Sequence, residues 1–171
     1  MLFKPRGERY SSIGATLAQV AKKSYNSADD WASARKILRD CFDEIASNNQ
    51  TTEDEKTLAN MGTDFGSDYM GGRDAARVRS AVVDTIAFAM PGPIGQVIAR
   101  TTVNAYGFDM KWGTARKILR IGFDTILSNP QTTEDEKSLA NMGIDVGNDY
   151  MGDRDAARVR IPIMKKIAAL K

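Results

Sequence analysis

From Trp31 the apolar residues Trp31, Ala34, Leu38, Cys41, Phe42 and Ile45 fall three or four positions apart, the stripe of an amphipathic helix. Ser47-Asn48-Asn49 ends that segment. The pattern then restarts. Thr52 and Glu55 have the spacing of a capping box, and the cluster Glu53-Asp54-Glu55 suits the positive end of a helix dipole. Leu58, Met61, Phe65 and Tyr69 form the next stripe, which predicts a helix over 52–70. Gly71-Gly72 closes it, and Arg73 opens a further helix that turns Val78, Val82, Ile86 and Ala89 inward.

The same pattern returns 81 residues later. Trp31–Arg79 and Trp112–Arg160 are identical at 37 of 49 aligned positions. The second stripes read Trp112, Ala115, Leu119, Phe123 and Ile126, then Leu139, Met142, Val146 and Tyr150, with Ser128-Asn129-Pro130 between them. Upstream the match persists at Ile13, Gly14, Ala18 and Tyr25, which fall on Ile94, Gly95, Ala99 and Tyr106. With helices over 11–26 and 93–107, the chain is expected to be all-α, a tandem duplication of a roughly four-helix unit with about eight helices in total. The units are 10–90 and 91–171, and residues 1–9 form a flexible basic arm. Repeated units stack to bury faces that one copy leaves open, so a single pseudo-twofold helical body is expected.

Two features strain the helical pattern. Gly62 and Gly66, kept as Gly143 and Gly147, lie within the predicted helices 52–70 and 133–151, where glycine costs about 1 kcal/mol against alanine. Either those helices cross one another along the glycines, or each helix breaks there. Pro162 should kink or restart the last helix.

The formal charge of +2 conceals an asymmetry. Residues 10–90 carry nine basic and twelve acidic side chains, a net of −3, while 91–171 carry twelve and nine, a net of +3. Opposite charges would allow head-to-tail self-association between the acidic and the basic repeat. Arginines are the best-kept charges: Arg35, Arg39, Arg73, Arg77 and Arg79 recur as Arg116, Arg120, Arg154, Arg158 and Arg160. Arg73 and Arg77 share a helix face and could grip phosphates, which makes nucleic-acid binding through the repeated Arg-Asp-Ala-Ala-Arg-Val-Arg helices one alternative. Neighbouring acids such as Asp43, Asp74 and Asp124 compete for those arginines.

Asp64 and Asp68, copied as Asp145 and Asp149, sit four residues apart and would repel on a helix. A bridge to an arginine of the same unit, among Arg35, Arg39, Arg116 and Arg120, is the expected answer. Two carboxylates supply too few oxygens for a hard cation, and the spacing is not that of a calcium loop, so no metal is expected. Histidine is missing altogether, Cys41 has no counterpart in the second repeat, and phosphate-binding glycine loops do not occur. A carboxylate-dependent enzyme therefore stands as a second alternative. No catalytic residue and no cofactor is expected.

The reading that fits best is a non-catalytic helical interaction protein, an adaptor, inhibitor or self-assembling module, that displays one surface twice. Tyr69, Met70, Arg73 and Arg77, repeated as Tyr150, Met151, Arg154 and Arg158, are the expected partner-binding residues, since tyrosine, methionine and arginine are enriched in interface cores. No apolar run has the length of a membrane span and the N-terminus lacks a secretory signal, so a cytoplasmic protein without a membrane partner is expected.

Overall fold

A computed structural model describes residues 12–66, 70–88, 93–107, 111–147 and 150–170. Among them the chain is all-α, with α1 (Ser12–Asn26), α2 (Trp31–Ser47), α3 (Glu53–Phe65), α4 (Gly72–Ala87), α5 (Ile94–Tyr106), α6 (Trp112–Ser128), α7 (Glu134–Val146) and α8 (Asp153–Ala168). The chain divides into two compact units, Met1–Gly92 and Pro93–Lys171, each with four helices. The contacts repeat with the sequence. In the first unit α2 packs on α1, α3 and α4, and α4 also packs on α1 and α3; in the second, α6 and α8 play those parts with α5 and α7.

Local chemistry sets the helix ends. The Thr52 hydroxyl accepts from the Glu55 amide at 3.2 Å while the Glu55 carboxylate accepts from the Thr52 amide at 2.9 Å. Thr133 and Glu136 repeat this box at 3.2 and 2.7 Å. The preceding threonine closes the helix before: Thr51 and Thr132 donate to the carbonyls of Ile45 and Ile126 at 2.7 and 2.8 Å. One Thr-Thr pair thus ends one helix and starts the next. Asp30 caps α2 by accepting from the Ser33 amide, whereas Lys111, at the same position before α6, makes no side-chain cap.

Leu38, Phe42 and Ile45 of α2, Leu58 of α3, and Val82 and Ile86 of α4 are fully buried. Burying each such side chain is worth about 1.5–3 kcal/mol.

The structure departs from the sequence-based expectations at several places. α3 and α7 end at Phe65 and Val146, not at 70 and 151, and Gly66 and Gly147 form their C-caps. The helices do break at the second glycine of each pair. The glycines are filled from within their own units: Gly62 and Gly143 sit under the rings of Phe42 and Phe123, and Gly66 and Gly147 lie against the guanidinium groups of Arg79 and Arg160. They make room for side chains of neighbouring helices in the same bundle, in place of the expected crossing of the two glycine helices. Gly71 is the N-cap of α4, so Gly72 opens that helix instead of closing the one before.

Pro162 lies inside α8, which runs through it without a restart. The carbonyl four residues earlier belongs to Arg158, an exposed residue, so water can reach what the proline leaves unbonded. The expected flexible arm, 1–9, lies outside the described residues.

Candidate interaction surface

At one corner of each unit the N-termini of two helices meet. In the first unit the backbone of Ala32 approaches Gly72 so closely that a Cβ there would sit 3.1 Å from the Ala32 nitrogen. Arg35, one turn into α2, donates to the Met70 carbonyl at 3.2 Å and so pins the segment that enters α4. The Arg77 guanidinium lies over the Trp31 ring, 5.9 Å from its centroid. Arg73, in the first turn of α4, is exposed.

The second unit repeats the arginine-to-carbonyl contact of this corner and adds an ion pair. Arg116 donates to the Met151 carbonyl at 3.3 Å, and Asp153, which replaces Gly72, pairs with the same guanidinium at 3.0 Å. Arg154, Arg158 and Tyr150 are exposed, Tyr150 almost completely. Along α6 an open groove of about 390 Å³ is lined by Gly113, Arg116, Lys117, Arg120, Ile121 and Arg160.

The tryptophans are the residues that pattern alone misplaces. They begin the apolar stripes of α2 and α6, yet Trp31 is 46% and Trp112 44% exposed, while Leu38, Phe42, Leu119 and Phe123 further along are fully buried. As the first residue of its helix, each tryptophan stands at the rim of its bundle and only partly reaches the interior. Exposure of the same large aromatic in both copies was not legible from its helical register.

Met70 is buried and Met151 half-buried, so among the expected partner-binding residues these two contribute packing and a carbonyl acceptor. Tyr69 lies outside the described residues. In the second unit Met142 and Val146, expected to face inward, are exposed, although Met61 and Phe65 at the same positions in the first unit are buried.

The arginines expected to bridge the Asp64 and Asp145 pairs are seen in contact with other groups. Arg39 pairs with Asp43 at 3.6 Å and Arg120 with Asp124 at 3.5 Å, each one turn along its own helix. Arg35 and Arg116 hold carbonyls. Asp64 lies at the end of α3, where partial burial raises its pKa and the charge of Arg39 opposes that shift. Asp145 occupies the same place on α7, and both aspartates keep an exposed edge; Asp68 and Asp149 lie outside the described residues. Among the described residues no group of three or more acidic or cysteine side chains converges as a metal site would need.

Two buried ionic features were not read from the sequence. Arg79 and Arg160, counted there with the retained surface charges, are each only 1% exposed. Arg79 donates from Nε to the Gly62 carbonyl and from Nη2 to Thr63, both at 3.2 Å, and also to Gly66; Arg160 does the same toward Gly143 and Ile144. A cation thus covers the negative C-terminal end of α3 and of α7. The retained glycine at each helix end, Gly66 or Gly147, was the available clue.

The second feature is the pair Glu55 and Glu136, both buried, whose carboxylates fill the space beside Gly14 and Gly95 near the N-termini of α1 and α5. Retention of Ile-Gly in two otherwise diverged helices marked that contact.

No protein-family profile matches the chain, and neither the curated proteins nor the solved structures contain a significant match to it. Among the described residues no helix is long and apolar enough to cross a membrane.

Proposed function

We propose that the protein is a non-catalytic helical interaction module that presents one recognition corner twice. The observation that carries this reading is the half-exposed tryptophan that opens α2 and α6 in both units, with the Arg77 guanidinium over the Trp31 ring and the retained arginines Arg73, Arg154 and Arg158 exposed on α4 and α8. Tryptophan, tyrosine and arginine are the side chains from which interface hot spots are built. An aromatic face already under a guanidinium is preorganised, so less ordering is needed on binding. Two copies on one chain can raise avidity by about 10²–10⁴ when a partner or array of partners spans both.

The arginines favour protein over nucleic acid as partner. Arg79 and Arg160 are spent on helix carbonyls, and Arg116 is paired with Asp153, which removes three of the retained arginines from any phosphate-tracking surface.

The test is capture of partners from an extract of the source cells on the immobilised full chain, comparing wild type with Arg73→Ala/Arg154→Ala over a salt series. Loss of the captured protein in the variant, with little salt dependence in the wild type, supports the module. Capture of nucleic acid that falls steeply with salt supports phosphate binding instead, and an unchanged protein capture by the variant refutes the corner.

A further inference from the structure

The groove along α6 is lined by four cationic side chains, Arg116, Lys117, Arg120 and Arg160, and by no carboxylate. Gly113, Arg116, Lys117, Arg120 and Ile121 follow the spacing of three and four that defines one face of a helix. Arg160 enters from α8, where it is 1% exposed and donates to the carbonyls of Gly143 and Ile144. Its charge is thus fixed in the groove wall, whereas Arg120 is exposed and Lys117 half-buried.

The first unit carries the same arginines with a different charge arrangement. On α2 the equivalent face reads Ala32, Arg35, Lys36, Arg39 and Asp40, and the Asp40 carboxylate stands one turn from Lys36, 3.5 Å from its ammonium group. In the second unit Ile121 replaces Asp40, so the middle of the cationic face loses a carboxylate and gains an apolar side chain. The acid reappears at the N-terminal end of the face. Asp153 pairs with Arg116 there at 3.0 Å, in space left by the missing side chain of Gly113, where the first unit has Ala32.

We propose that this groove binds an acidic peptide segment of a partner protein, with its carboxylates on Lys117 and Arg120 and an apolar side chain on Ile121. That the partner is a protein rests on the recognition reading; the groove adds the chemistry it must carry. The lining selects a peptide over a phosphate backbone. A backbone charged at every step has no group to set on Ile121 and would run past both Asp153, on Arg116, and Asp124, 3.5 Å from Arg120. A peptide can place its charges between those acids and an apolar residue at the centre, the usual build of an interface. Arg120 and Asp124 are 45% and 54% exposed, and pairs so exposed contribute little, so a ligand carboxylate can take the place of Asp124.

The experiment is fluorescence anisotropy of labelled ligands titrated with the full chain at constant salt. The probe is a synthetic peptide of aspartates and glutamates around one central leucine. Its comparisons are the same peptide with asparagine and glutamine for the acids, and a single-stranded oligonucleotide of equal charge. The acidic peptide is expected to bind saturably, and the amide peptide at least about tenfold more weakly. Ile121→Asp installs the residue that the first unit has at this place and should weaken the acidic peptide by at least about tenfold with the circular dichroism unchanged. Lys117→Gln carries the same expectation and takes over if Ile121→Asp unfolds. The proposal is overturned by an acidic peptide that does not bind saturably, by a folded variant that binds it as wild type does, or by an oligonucleotide that binds more tightly than the peptide. Both variants keep Trp31, Trp112, Arg73 and Arg154. Failure of the peptide assay with partner capture intact therefore removes the groove and leaves the tryptophan corners standing.

Discussion

The Arg79 guanidinium occupies the volume that a side chain at Gly66 would take, and Arg160 stands in the same relation to Gly147. Each arginine reaches from α4 or α8 to the carbonyls at the end of the preceding helix and is nearly inaccessible to solvent. Arg79→Met should destabilise the first unit by about 3 kcal/mol, because it strips donors from carbonyls that water cannot reach. Arg79→Lys should not recover the loss, since an ammonium lacks the planar fork. Urea unfolding followed by circular dichroism measures both. An Arg79→Met protein as stable as wild type would mean that the buried cation is dispensable.

Gly62 tests a sign. In a free helix Gly→Ala stabilises by about 1 kcal/mol, but here the new methyl would overlap the Phe42 ring. Gly62→Ala is expected to lose about 1–3 kcal/mol, as overpacking does. Phe42→Leu in the same chain should recover part of it. Additive losses in the double-mutant cycle would show that the two residues do not share space.

The capping threonines give a smaller and more local effect. Thr52→Ala or Thr133→Ala should each cost about 1 kcal/mol, seen as a lower urea midpoint. The two unfolding shifts should match, because the boxes have the same geometry.

Burial pushes the Cys41 thiol up to about 12, and its sulfur donates to the Leu17 carbonyl at 3.5 Å. The thiol is therefore protonated and shielded at neutral pH. Iodoacetamide should leave the folded protein unmodified and label it fully in denaturant. Rapid labelling of the native protein would contradict the buried position.

Asp64 gives a pH dependence of opposite sense to an ordinary stabilising carboxylate. Its folded pKa is raised by desolvation, against the attraction of Arg39. Its contribution is therefore complete below the unfolded pKa and is lost as pH rises through the folded one. Asp64→Asn should equal or exceed wild type in melting temperature at neutral pH, with the gap closing as pH falls below about 4. A variant less stable at neutral pH would show that Asp64 makes a bridge worth more than its desolvation.

The fold was largely legible because the repeat supplies the chain twice and because its boundaries are set by local chemistry. Thr52 with Glu55 and Thr133 with Glu136 cap their helices as their spacing dictates. What was missed depends on neighbours distant in sequence. A helical projection places Trp31 and Trp112 on the apolar side, but only the packed bundle shows that their first-turn position leaves them at its rim. Likewise, nothing local distinguishes the exposed Arg73 from the buried Arg79; the difference lies in Gly66, whose missing side chain leaves the space that the Arg79 guanidinium fills on its way to the helix carbonyls. Met142 and Val146 carry the same pattern as Met61 and Phe65, and their different exposure has no signature in the periodicity.

The central claim is that the paired tryptophan corners are the recognition surface, and the chain's only two tryptophans make it directly testable. Capture of protein partners on the immobilised chain should be compared for wild type, Trp31→Ala, Trp112→Ala and the double substitution, with folding checked by circular dichroism. A bivalent module predicts that each single substitution weakens retention by up to about 10²–10⁴-fold and that the double one abolishes it while both bundles remain folded. Retention by the folded double variant equal to that of wild type would contradict the account.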